Sequence, residues 1–170
     1  DLKQKPGWEE YLGREEFERG GRLRFKFRSG SLLLNVERGR RSGVRADRRC
    51  EACDSMREES VEHFLFDCAA YVDIRQKFSD ELKAFCDKYD VQSIWEMWNG
   101  KESDRAIVVL GDCGKYMKSG GKGGADGSEE NIRILSNHFL NVLWDARKKI
   151  VFNGLVYSSG AQKPRSGSAP

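Results

Sequence analysis

The chain has 170 residues, the size of one ordinary domain or two small ones, and a core at that size supports itself without staples. An apolar fraction of 38% with 11% aromatics excludes wholesale disorder, while 34% charged residues and only three prolines predict a thin, helix-dominated core. No apolar run approaches the length of a membrane span and the charged N-terminus lacks the apolar centre of a secretory signal, so the chain is expected to be intracellular with no membrane partner.

Residues 8–49 are predicted to form a basic helical segment. Trp8, Tyr11, Leu12 and Phe17 share one helix face, with Pro6 in the first turn and Gly20-Gly21 as the stop. RLRFKFR then alternates strictly, Arg22, Arg24, Lys26 and Arg28 against Leu23, Phe25 and Phe27, which locally is the pattern of a strand with one basic face. A lone strand lacks a partner, so a helix imposed by packing stays open, with Phe25 and Phe27 expected in the core. Between Arg19 and Arg49, 11 basic residues face only Glu37 and Asp47, so this segment carries +9 in a chain of +3 and leaves −6 on the remainder.

CEACDSMREESVEHFLFDC, residues 50–68, sets Cys50, Cys53, His63 and Cys68 in the pattern C-x2-C-x9-H-x4-C. A zinc ion takes four soft or borderline donors at tetrahedral corners about 2.0–2.3 Å away, and C-x2-C supplies two of them from one tight turn. Disulfides are rare in a reducing compartment, so clustered cysteines are read first as ligands. The alternative is a set of separate buried thiols beside an unrelated imidazole, since free cysteine is among the most buried residue types. Five positions along an ideal helix rotate by about 140°, which keeps His63 and Cys68 off a common face. His63 is therefore expected on a short helix, Cys68 at or beyond its end, Phe64, Leu65 and Phe66 in a small core, and SMREES in a solvated loop. Four protein ligands fill the tetrahedron, so one structural Zn2+ is expected rather than a hydrolytic one, with Arg48 and Arg49 offsetting the thiolate charge.

Residues 69–117 are predicted to be helical and to pack on this knuckle. Tyr71, Ile74, Phe78, Leu82, Phe85 and Tyr89 recur at steps of three and four, and a short helix from about Val91 to Trp98 offers Ile94, Trp95 and Trp98. Residues 106–110 are apolar without period and their state stays open; Cys86 is expected in the core and Cys113 in a loop. Residues 118–128 are predicted to be a flexible Gly-rich linker. GDCGKYMKSGGKGG is no phosphate loop, since Lys115 precedes Tyr116 and Val109 stands where a first glycine belongs. An amphipathic helix over 129–153 follows, capped by Ser128, striped by Ile132, Leu135, Phe139, Val142, Leu143, Ala146 and Ile150, and ended by Gly154. His138 on it has no cysteine or paired acid nearby and is read as structural, and 154–170 is a disordered tail by composition.

RCEACDSMREESVEHFLFDCAAYVDIR resembles the cysteine-histidine zinc knuckle near the C-terminus of reverse transcriptases from non-long-terminal-repeat (LINE-type) retrotransposons. Beyond the four ligands, Glu62, Leu65, Phe66, Tyr71 and Arg75 fall where that family has such residues. RFKFRSGSLLLNVERGR looks like its basic segment through Arg28, Gly30 and Leu34, and IVVLGD and FLNVLWDARKK look more loosely like its closing helices. Ala69 departs from the pattern, because many members have proline after the last cysteine. The resemblance covers roughly Phe17 to Gly111 and favours helix for RLRFKFR. It implies a mostly α, zinc-stabilised accessory module that binds template RNA or target DNA. The partner it implies is an upstream reverse transcriptase domain of the same polypeptide, located in nucleus and cytoplasm as part of a retrotransposon ribonucleoprotein. A first residue of Asp1 rather than Met is expected of a piece of such a polypeptide.

Catalysis is not expected in this fragment. A polymerase palm needs closely placed aspartates for two metal ions, and no Asp-Asp pair occurs. The Pro-Asp mark of the nuclease that follows the knuckle in some relatives is missing too, since none of Pro6, Pro164 and Pro170 precedes Asp; a diverged endonuclease is the weakest alternative. Nucleic-acid contacts are expected from Arg22, Arg24, Lys26, Arg28, Arg38, Arg40, Arg41, Arg45, Arg48 and Arg49, because basic side chains displace counterions from phosphates. The rival from another class is a protein-interaction scaffold, in which these residues dock on another protein and the zinc is only structural.

Overall fold

The computed structural model describes residues 18–43, 48–117 and 127–158. Among these the fold is mostly α: α1 (Glu18–Arg28), α2 (Asn35–Ser42), α3 (Val72–Tyr89), α4 (Gln92–Trp98), α5 (Glu102–Leu110), α6 (Gly114–Met117) and α7 (Ser128–Ser158). Between α2 and α3 lie an isolated antiparallel bridge from Arg49 to Glu58, a π-helical turn at His63–Asp67 and a 3-10 turn at Ala69–Tyr71. The helix predicted over 8–17, residues 118–126 of the predicted linker and the tail from 159 lie outside the described residues.

Helix α7 is the common wall, packing against α1, α3 and α5. Its predicted stripe holds at Ile132, Phe139 and Leu143, which are buried, and Leu140 joins them. Gly154 does not end it: the helix continues to Ser158. A single glycine costs a helix only about 1 kcal/mol, so it stops one only where the backbone needs a left-handed turn.

RLRFKFR resolves as helix. Leu23 and Phe27, four residues apart, are buried, whereas Phe25 is 51% exposed and is not the core residue it was expected to be. A helix satisfies its own backbone hydrogen bonds and needs only one apolar face against α7; among the described residues a strand here has no neighbouring strand to complete its ladder. Gly20-Gly21 was expected as a helix stop and instead lies inside α1. A methyl group at Gly20 would stand 2.6 Å from Cβ of Asn137, so glycine is present because the α1 and α7 backbones approach too closely for a side chain. Helix α2 ends where Gly43 adopts φ 72°, a conformation glycine enters without penalty.

Residues 106–110, open on sequence, lie in α5, with Val108, Val109 and Leu110 buried. Helix α3 buries Phe78, Leu82 and Phe85 from the predicted stripe, together with Cys86, and α4 buries Ile94 and Trp98. Cys113 follows α5 outside any helix, as expected, but it too is buried. Two runs of aromatic contacts cross the core. Phe27 stacks on Phe64 at 5.8 Å and Phe64 meets Tyr71 and Trp144 edge-on at 5.2 and 6.2 Å; Phe78 stacks on Phe139 at 4.3 Å and meets Trp98 edge-on at 5.0 Å.

Replacing Gly20 with Ala should lower stability. The propensity gain of about 0.5–1 kcal/mol is outweighed by overpacking against Asn137, at about 1–3 kcal/mol. Urea unfolding of G20A gives the sign, and a rise in midpoint would show that the helices can move apart at no cost.

Candidate metal centre

The four predicted ligands come together because three local devices re-aim the chain. At the first, Cys50 donates its N–H to the Arg57 carbonyl (2.8 Å) and Glu59 donates to the Arg48 carbonyl (2.7 Å), closing 48–59 into a short antiparallel loop. Cys50 sits on one arm and Cys53 in the turn. At the second, Ser60 caps the following helix, its hydroxyl accepting from the His63 N–H at 3.1 Å.

The third device is the π-helical turn. Cys68 donates its N–H to the carbonyl of His63 at 2.7 Å, a closure over five residues instead of four. The extra residue returns position 68 to the side of position 63, which an ideal α-helix cannot do. Cys68 itself is extended, with φ −60° and ψ 122°, so it stands beyond the helix end as the spacing requires.

The donor atoms of Cys50, Cys53, His63 and Cys68 all lie within 4.8 Å of one another. The Cys50 and Cys68 sulfurs are 3.7 Å apart, and Cys53 Sγ is 3.4 Å from His63 Nε2. An ion held at about 2.3 Å by sulfur and about 2.0 Å by nitrogen has tetrahedral corners about 3.8 Å apart between sulfurs and about 3.5 Å between sulfur and nitrogen. The cluster therefore has the dimensions of one coordination shell and could hold one metal ion. His63 turns Nε2 into it and keeps Nδ1 buried, with no partner among the described residues.

Burial pushes the Cys68 thiol up to about 12, and burial likewise raises Cys50. For Cys53 burial also acts upward, but hydrogen bonds from the Ser55 hydroxyl and backbone outweigh it and the net shift is downward. Burial and the nearby Arg57 charge lower His63, so the imidazole is neutral and able to ligate near pH 7.

The basic residues expected to contact nucleic acid divide. Arg22, Lys26, Arg38, Arg40 and Arg49 are exposed, and Arg28 and Arg48 are half-buried. The Arg41 side chain and all of Arg45 lie outside the described residues. Arg24 is a correction: it is 3% exposed and its guanidinium donates to Asn137 Oδ1 (3.2 Å) and to the carbonyls of Gly111 (3.2 Å) and Arg133 (3.5 Å). It closes the C-terminal end of α5, where a cation suits the carbonyl dipoles, and it is not available to a phosphate.

The loop SMREES is also not all solvated. Glu59 is 1% exposed and forms a two-pronged ion pair with Arg147 of α7, both contacts at 2.7 Å. The same carboxylate accepts the Asn35 backbone N–H at 2.8 Å, at the start of α2. Burial acts against the Arg147 charge, but the Glu59 hydrogen bonds prevail and raise it. The one sequence signal was Arg147 itself, a charge placed four residues after Leu143 on the buried stripe.

Two outcomes follow. Because buried thiols must lose protons to bind a metal, affinity should fall at least about tenfold per pH unit of acidification, as read by competition with a chromophoric chelator at pH 8, 7 and 6; pH-independent affinity would mean these sulfurs are not the ligands. Arg147→Ala should cost about 3–5 kcal/mol in urea unfolding because it strands a buried carboxylate, and adding Glu59→Gln should recover part of that loss.

Set against family models, curated proteins and solved structures, the chain matches none of them.

Proposed function

We propose that the chain is a noncatalytic accessory module that grips a nucleic-acid strand, organised by one structural Zn2+ at Cys50, Cys53, His63 and Cys68. Its place is beside a LINE-type reverse transcriptase domain of the same polypeptide, and its ligand is template RNA or target DNA. Zinc suits the donors, since thiolates and imidazole are soft to borderline ligands that discriminate against magnesium and calcium. Four protein ligands leave no open corner for a reacting water, which favours a structural role over hydrolysis.

The observation that carries the reading is the setting of the basic side chains around the metal loop. Asn35 donates to the Arg49 carbonyl at 2.7 Å and accepts from Arg38 at 3.2 Å, so two exposed arginines flank the chain just before Cys50. Arg22 and Lys26 add exposed charge on one face of α1, and Phe25 lies on that face as well. Exposed cations beside an exposed aromatic ring are the elements from which single-strand grooves are built.

A protein-docking scaffold is the second reading, favoured by a groove of about 420 Å³ walled by Phe27, Val61, Leu65 and Ile107. The two readings part on salt. If about four cations meet phosphates, the log-log salt slope on a labelled single strand should be about −2.8. The triple variant R22A/K26A/R49A should then flatten it by about 2 units while keeping its metal. Fluorescence anisotropy with single-stranded RNA and a matched DNA duplex reads both; a folded, metal-loaded chain that binds neither at low salt would refute strand binding and leave the scaffold.

A further inference from the structure

A second concave site shares Phe66 of the π-helical turn with the apolar groove. It is a groove of about 470 Å³ between the start of α3 and the junction of α4 and α5, and it contains both Arg75 and Arg105. Each guanidinium is seated on the metal segment. Arg75 donates to the Cys68 carbonyl at 2.6 Å, and the Arg105 guanidinium lies over the Phe66 ring at 5.1 Å. Ring and carbonyl hold the two planes in place before any ligand arrives.

No acidic side chain is among the residues that line the groove. Among the described residues neither arginine forms an ion pair, and Arg75 Nη1 and Arg105 Nε are buried without a hydrogen-bond partner. Cys68 and Asp67, outside the groove lining, act favourably on the Arg75 charge, and Asp67 is already engaged by Arg57 at 2.9 Å. Arg105 acts on Arg75 as a repelling like charge. Two cations that face one groove, with no ion pair closing either of them, favour an anion that enters it. Ser79 adds a hydroxyl, whose oxygen accepts from Trp98 Nε1 at 3.0 Å and which keeps its own O–H to donate. The volume falls in the range of small-molecule sites, roughly 300–1,000 Å³.

We infer that this groove is a phosphate-binding subsite, in which Arg75 and Arg105 clamp a phosphate group carried by a polynucleotide strand or by a small phosphorylated molecule. Phosphate fits better than carboxylate because its tetrahedral set of oxygens accepts from two guanidinium forks and a hydroxyl at once. The subsite stands outside the basic residues of 19–49; only the assignment of its phosphate to a strand rests on the proposed function.

The test is a titration of the 15N-labelled, zinc-loaded chain with inorganic phosphate at constant ionic strength, following the Trp98 indole and the Gly100 and Arg105 amides by NMR. Saturable shifts at these positions are expected, with binding at least about tenfold weaker in Arg105→Gln and intermediate in Arg105→Lys, which keeps charge but loses the fork. Shifts that are absent, or unchanged in Arg105→Gln, overturn the subsite. If Arg105→Gln does not fold, the wild-type titration and Arg105→Lys decide. A labelled single strand then identifies the source: a salt slope flatter by about 0.7 in the variant assigns the phosphate to the strand, and an unchanged slope assigns it to a small ligand. A wild-type chain that takes phosphate but no strand would defeat the proposed function and leave the subsite standing.

Discussion

The buried carboxylate of Glu59 is the joint on which three parts of the molecule depend. It holds Arg147 of α7 through both oxygens, receives the first N–H of α2, and sits one residue past the bridge that closes the metal loop. A buried ion pair is weak evidence of net stabilisation, because desolvation offsets much of its Coulomb energy. Its geometry is nonetheless restrictive. A forked guanidinium and a carboxylate meet in one plane, so α7 cannot slide or turn against the metal loop without breaking two 2.7 Å contacts inside the protein.

The metal centre and the apolar core are coupled through the same short segment. His63 and Cys68 bracket Phe64, Leu65 and Phe66, and all three apolar side chains are buried. The π-helical turn serves both ends: it brings two candidate donors to one cluster and turns Phe64 toward Phe27 and Trp144, Phe66 toward Trp98. Zinc binding in small modules is worth about 10–16 kcal/mol, comparable with a domain's whole stability of about 5–15 kcal/mol. An ion bound at these four side chains would therefore order the core segment, and the packed core in turn holds the donors in place.

Charge has a different meaning inside and outside this chain. Arg24 and Arg147 are structural, each consumed by carbonyl or carboxylate acceptors within the core. Arg22, Lys26, Arg38 and Arg49 keep their surface exposure, and it is on these that strand binding would rest. Arg75 and Arg105 belong to neither group, since they are fixed in place yet form no ion pair among the described residues. The local excess of basic residues between 19 and 49 thus overstates the charge available to a ligand by at least Arg24.

Helical class, the clustering of the four candidate ligands, the position of Cys68 past a helix end and the main stripes of α3 and α7 were legible in the sequence, because each rests on spacing between near neighbours and elementary ligand geometry. Arg24, Gly20 and Glu59 were misjudged for one reason: their environments are made by residues far away in the chain. Gly20 meets Asn137, Arg24 meets Gly111 and Arg133, and Glu59 meets Arg147. The state of RLRFKFR was likewise undecidable from its own alternation, since only a partner surface chooses between a strand and a helix that bury different residues. Sequence by itself determined which groups could bind a metal. Tertiary structure decided which charges remain at the surface, because burial is a property of what packs alongside.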